Sequence, residues 1–162
     1  MPLLENGQVT QDRWHMAVEG EPLPDGAVIV PTERLEEGLA RAGNAPLGVM
    51  IAPDVDVAVL RAALPRLELV AVTFPSFRDG RAFTQARALR EHLGFTGEIR
   101  ATGTPLPDQY EFLLRCGVTT VQTERTEDVS VWQQAHAIIS IAYQPSTLHE
   151  RPQGLGLRRF LS

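Results

Sequence analysis

Apolar and polar positions fall into repeating blocks along this chain, and one block organises the rest. Leu67, Leu69, Val70, Ala71, Val72 and Phe74 make a near-continuous apolar run, with Glu68 near its start and Pro75 at its end. Its length and β-branched content predict a parallel strand covered on both faces. Phe83, Ala86, Leu89, Arg90 and Leu93 then recur at helical spacing, while Arg87 and Glu91 stand four apart on the opposite side, which predicts an amphipathic helix. Gly94 followed by the apolar Phe95 reads as a left-handed cap. From Glu98 to Thr102 the period changes to two: Glu98, Arg100 and Thr102 share one face of a strand, with Ile99 and Ala101 on the other.

The same alternation extends to both sides. Ala27 to Val30 predicts a strand ended by Pro31, and Thr32, Glu33 and Glu36 open a helix that turns Leu35 and Leu39 inward and stops at Gly43. Leu47 to Ala52 is a second strand. Asp54 or Asp56 caps a helix with Val57, Leu60 and Leu64, ended by Pro65. After Gly103, Pro105 and Pro107 lead into a helix from Asp108 to Cys116, closed by Gly117. Thr119 to Gln122 is the fifth strand, and Thr126 opens a last helix, carrying Val129, Trp132, Ala135, Ile138, Ile139 and Ala142, that ends before Pro145.

About five strand-then-helix units predict an α/β fold with parallel pairing and right-handed crossovers. They are too few for a closed eightfold barrel. An open three-layer sheet is the default, and a curled half-barrel is the alternative that would best house Arg100. Before this region, the turn signals Asn6-Gly7 and Pro24-Asp25-Gly26 flank the short run Trp14 to Val18, which predicts a hairpin or edge strand, with Trp14 as a packing anchor. The expected organisation is one domain over 1–145. The tail, 146–162, has no periodicity and reads as flexible or as docking on a partner through Leu155, Leu157, Phe160 and Leu161.

Composition narrows the chemistry. The 162 residues are 43% hydrophobic, enough for one core. A net charge of −5 argues against a nucleic-acid binder that must neutralise several phosphates. Every basic residue is Arg, so a P-loop lysine, a Schiff base and a pyridoxal phosphate attachment are all excluded. The single Cys116 cannot form an internal disulfide, there is no membrane-length apolar run, and the N-terminus lacks signal architecture, so a cytoplasmic protein is expected. No cofactor is recognisable. The only Gly-x-Gly lies in the tail at Gly154 to Gly156, and His15, His92, His136 and His149 are scattered without metal-ligand spacing. Cys116, at a helix C-terminus, reads as a small buried hydrophobe, and His92 as a cation beside a helix C-terminus.

Candidate site residues cluster around the central strand's carboxyl end. In PSFRDGR, Ser76 or Asp79 can accept from the first amides of the following helix, and Gly80 permits close backbone approach. Amides and dipole there favour an anion, with Arg78 and Arg81 flanking it. Arg100 has two readings: paired with Glu98 or a neighbouring carboxylate, or converging with Arg81 and Arg78 on an anionic ligand beyond the strand tips. Asp79 and Asp108 are the candidate proton carriers, and each is equally explained as a helix cap.

The motif FPSFRDGRAFTQARALREHLGFTGEIRATG, with Arg-Cys-Gly at 115–117 and Tyr-Gln-Pro at 143–145, resembles a bacterial family of unknown function whose genes lie beside sulfite reductase in sulfur-assimilation clusters, often labelled as probable oxidoreductases of sulfite reduction. The resemblance spans residues 26–146. In the family this resembles, the segment after the motif usually reads Asp-Val-Leu-Arg-Asp-Gln, whereas this chain has Thr104, Pro105, Leu106, Pro107, Asp108 and Gln109, and so lacks that first Asp and that Arg. The resemblance implies an accessory protein that recognises an oxyanion or the reductase. The alternatives are an enzyme acting on a small anionic sulfur or phosphorylated metabolite, with Arg78, Arg81 and Arg100 holding the anion, and an interaction protein with no ligand. Sulfite reductase or another sulfur-assimilation enzyme is the expected partner, with no nucleic acid or membrane, and homo-oligomers are allowed.

Overall fold

The computed structural model describes residues 2–76, 78–124 and 129–149, with backbone only for 140–149. Among the described residues there are eight strands: β1 (Leu3–Glu5), β2 (Gln8–Thr10), β3 (His15–Met16), β4 (Val28–Pro31), β5 (Leu47–Ile51), β6 (Leu67–Phe74), β7 (Glu98–Gly103) and β8 (Thr120–Gln122). Four α-helices accompany them: α1 (Leu35–Leu39), α2 (Arg81–Glu91), α3 (Tyr110–Arg115) and α4 (Val129–His149). All eight strands join one sheet in the order β2-β1-β8-β7-β6-β5-β4-β3.

The five expected parallel strands are β4 to β8, lying side by side in chain order. Three more come from the first sixteen residues. Asn6 and Gly7, with φ of 53° and 74°, make the two-residue turn of the β1–β2 hairpin. The hairpin does not lie across the sheet. It extends one edge, β1 pairing antiparallel with β8 from Leu3↔Gln122 to Glu5↔Thr120. At the opposite edge β3 pairs parallel with β4.

The three-layer default is overturned. When each parallel strand adds beside the last, right-handed crossovers carry every connection over the same face. Accordingly Val28, Val30, Leu47, Val49, Ile51, Val70, Val72, Phe74, Ile99, Ala101 and Val121 share one core with residues from the connecting helices. The inner face holds a separate small cluster of Trp14, Ile29, Leu69 and Ala71. The chain geometry also requires the sheet to curl. At a spacing of about 4.8 Å, a flat eight-stranded sheet would hold its edges roughly 34 Å apart. The segment Gln11–Trp14 joins β2 at one edge to β3 at the other, and fully extended it reaches roughly 18 Å. The result is a curled half-barrel with a strap across its concave side.

Local differences have local causes. The β5–β6 crossover contains no α-helix; it is two 3₁₀ turns, Val57–Leu60 and Leu64–Arg66, the first capped by Asp56, which accepts from the Ala58 amide at 2.9 Å. Pro65 and the β-branched Val55, Val57 and Val59 disfavour a longer helix there. α1 and α3 are likewise short and are each preceded by a 3₁₀ turn, Thr32–Arg34 and Pro107–Gln109. α4 continues through Pro145 to His149, past its expected end. The expected cap at Thr126 and all of the tail beyond His149 lie outside the described residues.

Candidate functional site

The long central motif is first a packing device. Phe74 ends β6 fully buried and meets Phe83 of α2 edge-on at 4.9 Å, and Phe83 in turn packs on Phe112 at 4.7 Å. Ala82, Ala86 and Leu89 face the sheet, and Arg87 pairs with Glu91 on the outer side. Gln85 is also buried, a residue the hydrophobic period alone does not single out; its amide nitrogen donates to the carbonyls of Ala52 and Val55 at 2.9 and 2.8 Å, tying α2 to the β5–β6 crossover. Arg90 is a tie as well, donating to the carbonyls of Gly117 and Phe95.

At the carboxyl end of β7 the chain turns sharply. Thr102 Oγ1 donates to the Val72 carbonyl at 3.2 Å, and Gly103 takes φ +88° hard against Phe74. Thr104 then donates to the Phe74 carbonyl from both its amide and its hydroxyl, at 2.7 and 3.1 Å. Thr104 thereby pins this loop to β6. Gly103, Thr104, Pro105 and Leu106 wall a cavity of about 300 Å³ with Thr123, Glu124 and Trp132.

Ser76 and residues 78–81 lead into α2 through short-range hydrogen bonds. Ser76 accepts from the Arg78 amide through Oγ at 3.3 Å and from the Asp79 amide through its carbonyl at 3.1 Å. Asp79 accepts from the Arg81 amide at 3.1 Å, and its two oxygens take Arg81 Nε at 3.0 Å and Nη2 at 2.7 Å. Asp79, one residue before the N-cap Gly80, thus satisfies the first amide of α2, and the anion the helix N-terminus favours is already supplied by the chain itself. The Arg81 guanidinium and amide hold the Asp79 carboxyl at about 2, well below the ordinary carboxylate range. Gly80 is not required by a close approach, because a Cβ there would meet only the Phe83 ring, at 3.9 Å. Arg78 and Arg81 are exposed, and Asp108 is exposed in the 3₁₀ turn before α3.

Because its folded value is depressed, Asp79 adds stability above its unfolded value near 3.9 and loses it as pH falls toward 2. Between pH 5 and 8 this carboxyl contributes no pH dependence. A carbon-13 NMR titration of the Asp79 carboxyl is expected to give a midpoint near 2 in the native chain, rising toward the ordinary carboxylate range in Arg81→Ala, where only the residue-81 amide still lowers it. An unchanged midpoint in the variant would show that Arg81 is not the cause.

Arg100 does not join this loop. It stands near the amino end of β7, on the concave face, with its side chain 2% exposed. Asp12 of the strap takes Nη1 and Nη2 at 3.0 and 3.1 Å, and Glu98 takes Nε and Nη2 at 3.2 and 3.0 Å. Thr120 donates to the same Glu98 oxygen at 2.7 Å. Of the two readings for Arg100, the internally paired one is observed. Glu98 was legible as a partner two residues away; Asp12, 88 residues away, was not. Trp14 locks the other end of the strap, 8% exposed against Leu69, Ala71 and Ile29. Cys116 is buried, and burial pushes its thiol up. Among the described residues no cluster of His, Cys, Asp and Glu is placed to hold a metal ion, and no helix is long and apolar enough to cross a membrane.

Residues 48–154 match the family described as "Bacterial protein of unknown function (DUF934)". The chain belongs to that family. No curated protein matches it. The matched span of this DUF934 member starts with β5 and includes the motif, both loops and Arg100 with Glu98 and Thr120, while the strap that supplies Asp12 lies before it.

Proposed function

We propose that this DUF934 protein is a cytoplasmic accessory protein of assimilatory sulfite or nitrite reduction, engaging the reductase or an oxyanion through the Ser76–Arg81 loop. The observation that carries this reading is Arg81: Asp79 fixes its guanidinium, yet its side chain stays 59% exposed, beyond the carboxyl end of a parallel strand where open α/β sheets bind ligands. The motif's resemblance to proteins encoded beside sulfite reductase supplies the partner. Asp79 favours a protein surface over a free oxyanion. An incoming oxyanion meets a carboxylate already bonded to the same donors, whereas a partner's carboxylate or carbonyl can take the guanidinium's remaining N–H groups with Asp79 in place.

Two measurements test this. Purified sulfite reductase is titrated onto the chain and onto Arg81→Ala, and thermal unfolding is followed with sulfite, sulfate, phosphate, nitrite and adenosine 5′-phosphosulfate at matched ionic strength. Saturable reductase binding that weakens at least about tenfold in Arg81→Ala is expected. A selective rise in Tm of roughly 5 °C or more with one oxyanion, abolished in Arg81→Ala, selects the oxyanion form instead. No response in either assay sinks the reading. The enzymatic alternative is supported by the cavity beside Gly103–Leu106, whose lining includes the Glu124 carboxylate; of the two expected proton carriers, Asp79, held near 2, is a poor base at neutral pH, and Asp108 is not among the lining residues.

A further inference from the structure

We infer that the cavity between the β5–β6 crossover and α2 receives a lysine side chain from a partner protein. The cavity holds about 300 Å³. Pro53, Val55 and Val57 of the crossover and Ala88 of α2 give it aliphatic walls. Arg81, Thr84 and Gln85 line it too, and with Ala88 they stand at the spacing of one helical stripe, so α2 presents them together. Gln85 is the observation that points to a ligand. It is 6% exposed, and its Nε2 donates to the carbonyls of Ala52 and Val55, which fixes the amide. Its Oε1 is thereby left buried with no hydrogen-bond partner among the described residues. A buried acceptor without a donor is costly, so this oxygen calls for an N–H or O–H that the described chain does not supply.

Charge selects the same kind of guest. Asp56 lines the cavity, Asp54 lies close enough to Arg81 to favour its charge, and Asp79 already holds that guanidinium at 2.7 Å. Three carboxylates thus attend one cation, and the surplus favours a positive guest. Aliphatic walls with oxygen acceptors beside them fit an ammonium on a methylene stem, the stem covered and the head bonded. A guanidinium also gains by stacking on aromatic faces, and among the described residues no aromatic ring lines this cavity. The volume is at the lower end of small-molecule sites and suits a single side chain. This chain has no Lys, so a second copy cannot supply the guest and another protein must. The contact has the opposite charge to the one proposed at Arg81 and does not depend on it.

Nitrogen-15 NMR titration of the full chain with Nα-acetyl-lysine methylamide tests the inference. The backbone amides of Thr84, Gln85 and Ala88 and the side-chain amide of Gln85 are expected to shift saturably, with a dissociation constant on the order of 1 mM, the strength one side chain reaches. Nα-acetyl-norleucine methylamide keeps most of the stem without the ammonium and should bind at least about tenfold more weakly. Asp56→Asn retains a residue able to cap the Val57–Leu60 turn and should weaken the lysine probe about fivefold. Glu91→Gln removes the same charge from the outer side of α2 and should leave binding unchanged. Ala88→Leu fills the cavity and should abolish binding, with the dispersion of its spectrum checking that the fold remains. Equal weakening in Asp56→Asn and Glu91→Gln overturns the inference, as general attraction to an acidic chain. So do shifts that avoid α2 or an arginine probe that binds as tightly. Butylammonium binding at least about tenfold more tightly than the lysine probe also overturns it and assigns the cavity to a free amine.

Discussion

Arg100→Ala is expected to destabilise the fold by about 3–5 kcal/mol, because it removes the cation from two carboxylates that share a nearly closed site. The side chain is 2% exposed and bonds to both Asp12 and Glu98, whose own side chains are 27% and 25% exposed. With the guanidinium gone, Asp12 no longer tethers the strap, and Glu98 keeps only the Thr120 hydroxyl. For a chain of this length the loss corresponds to a fall in Tm of roughly 6–20 °C, readable by calorimetry. A triple variant, Arg100→Met with Asp12→Asn and Glu98→Gln, removes both signs of charge together and should recover much of the loss. A fall below about 2 °C for Arg100→Ala would show that the strap is held without it, by Trp14 and the Arg13–Glu68 pair.

Gly103→Ala is the second large effect. Gly103 has φ +88°, a region costly to any residue with a side chain, and a Cβ there would lie 2.2 Å from the Phe74 carbonyl oxygen. That oxygen cannot retreat freely: it belongs to the end of β6, in register with Gly103, and accepts from both the amide and the hydroxyl of Thr104. Strain and displacement together give an expected loss of about 3–5 kcal/mol. Gly80→Ala is the control, with an ordinary backbone and open space around it, and should change stability by less than about 1 kcal/mol. Urea unfolding of both checks the contrast; equal losses would mean that Gly103 is not held by the approach to Phe74.

These two residues show how unevenly the candidate site could be read. The motif's phenylalanines, the Arg87–Glu91 pair and the Asp79 cap follow from spacings of two to four residues, and each stands where spacing placed it. The anion site inferred beside that cap rested on the helix N-terminus, and no local rule decides whether a carboxylate two residues away turns back to occupy its Arg. The cavity under Gly103–Leu106 joins loops after β7 and β8 to Trp132, which no sequence spacing could bring together.

The fold divides along the same line. Strand and helix periods, the Asn6-Gly7 turn and the succession of five strands, four of them followed by an α-helix, are local, set by side-chain period and backbone preference, and the sequence by itself determined them. Which strands meet at the edges, that every connecting helix lies on one face, and that Asp12 arrives beneath Arg100 were decided only by the tertiary structure. Hydrophobic period specifies that a strand has a buried face but carries no record of its neighbour, and β1, β2 and β3, of three, three and two residues, are too short to have any period. Their pairing gains its free energy from groups far away in sequence: the β8 edge, the β4 edge and the buried guanidinium between them.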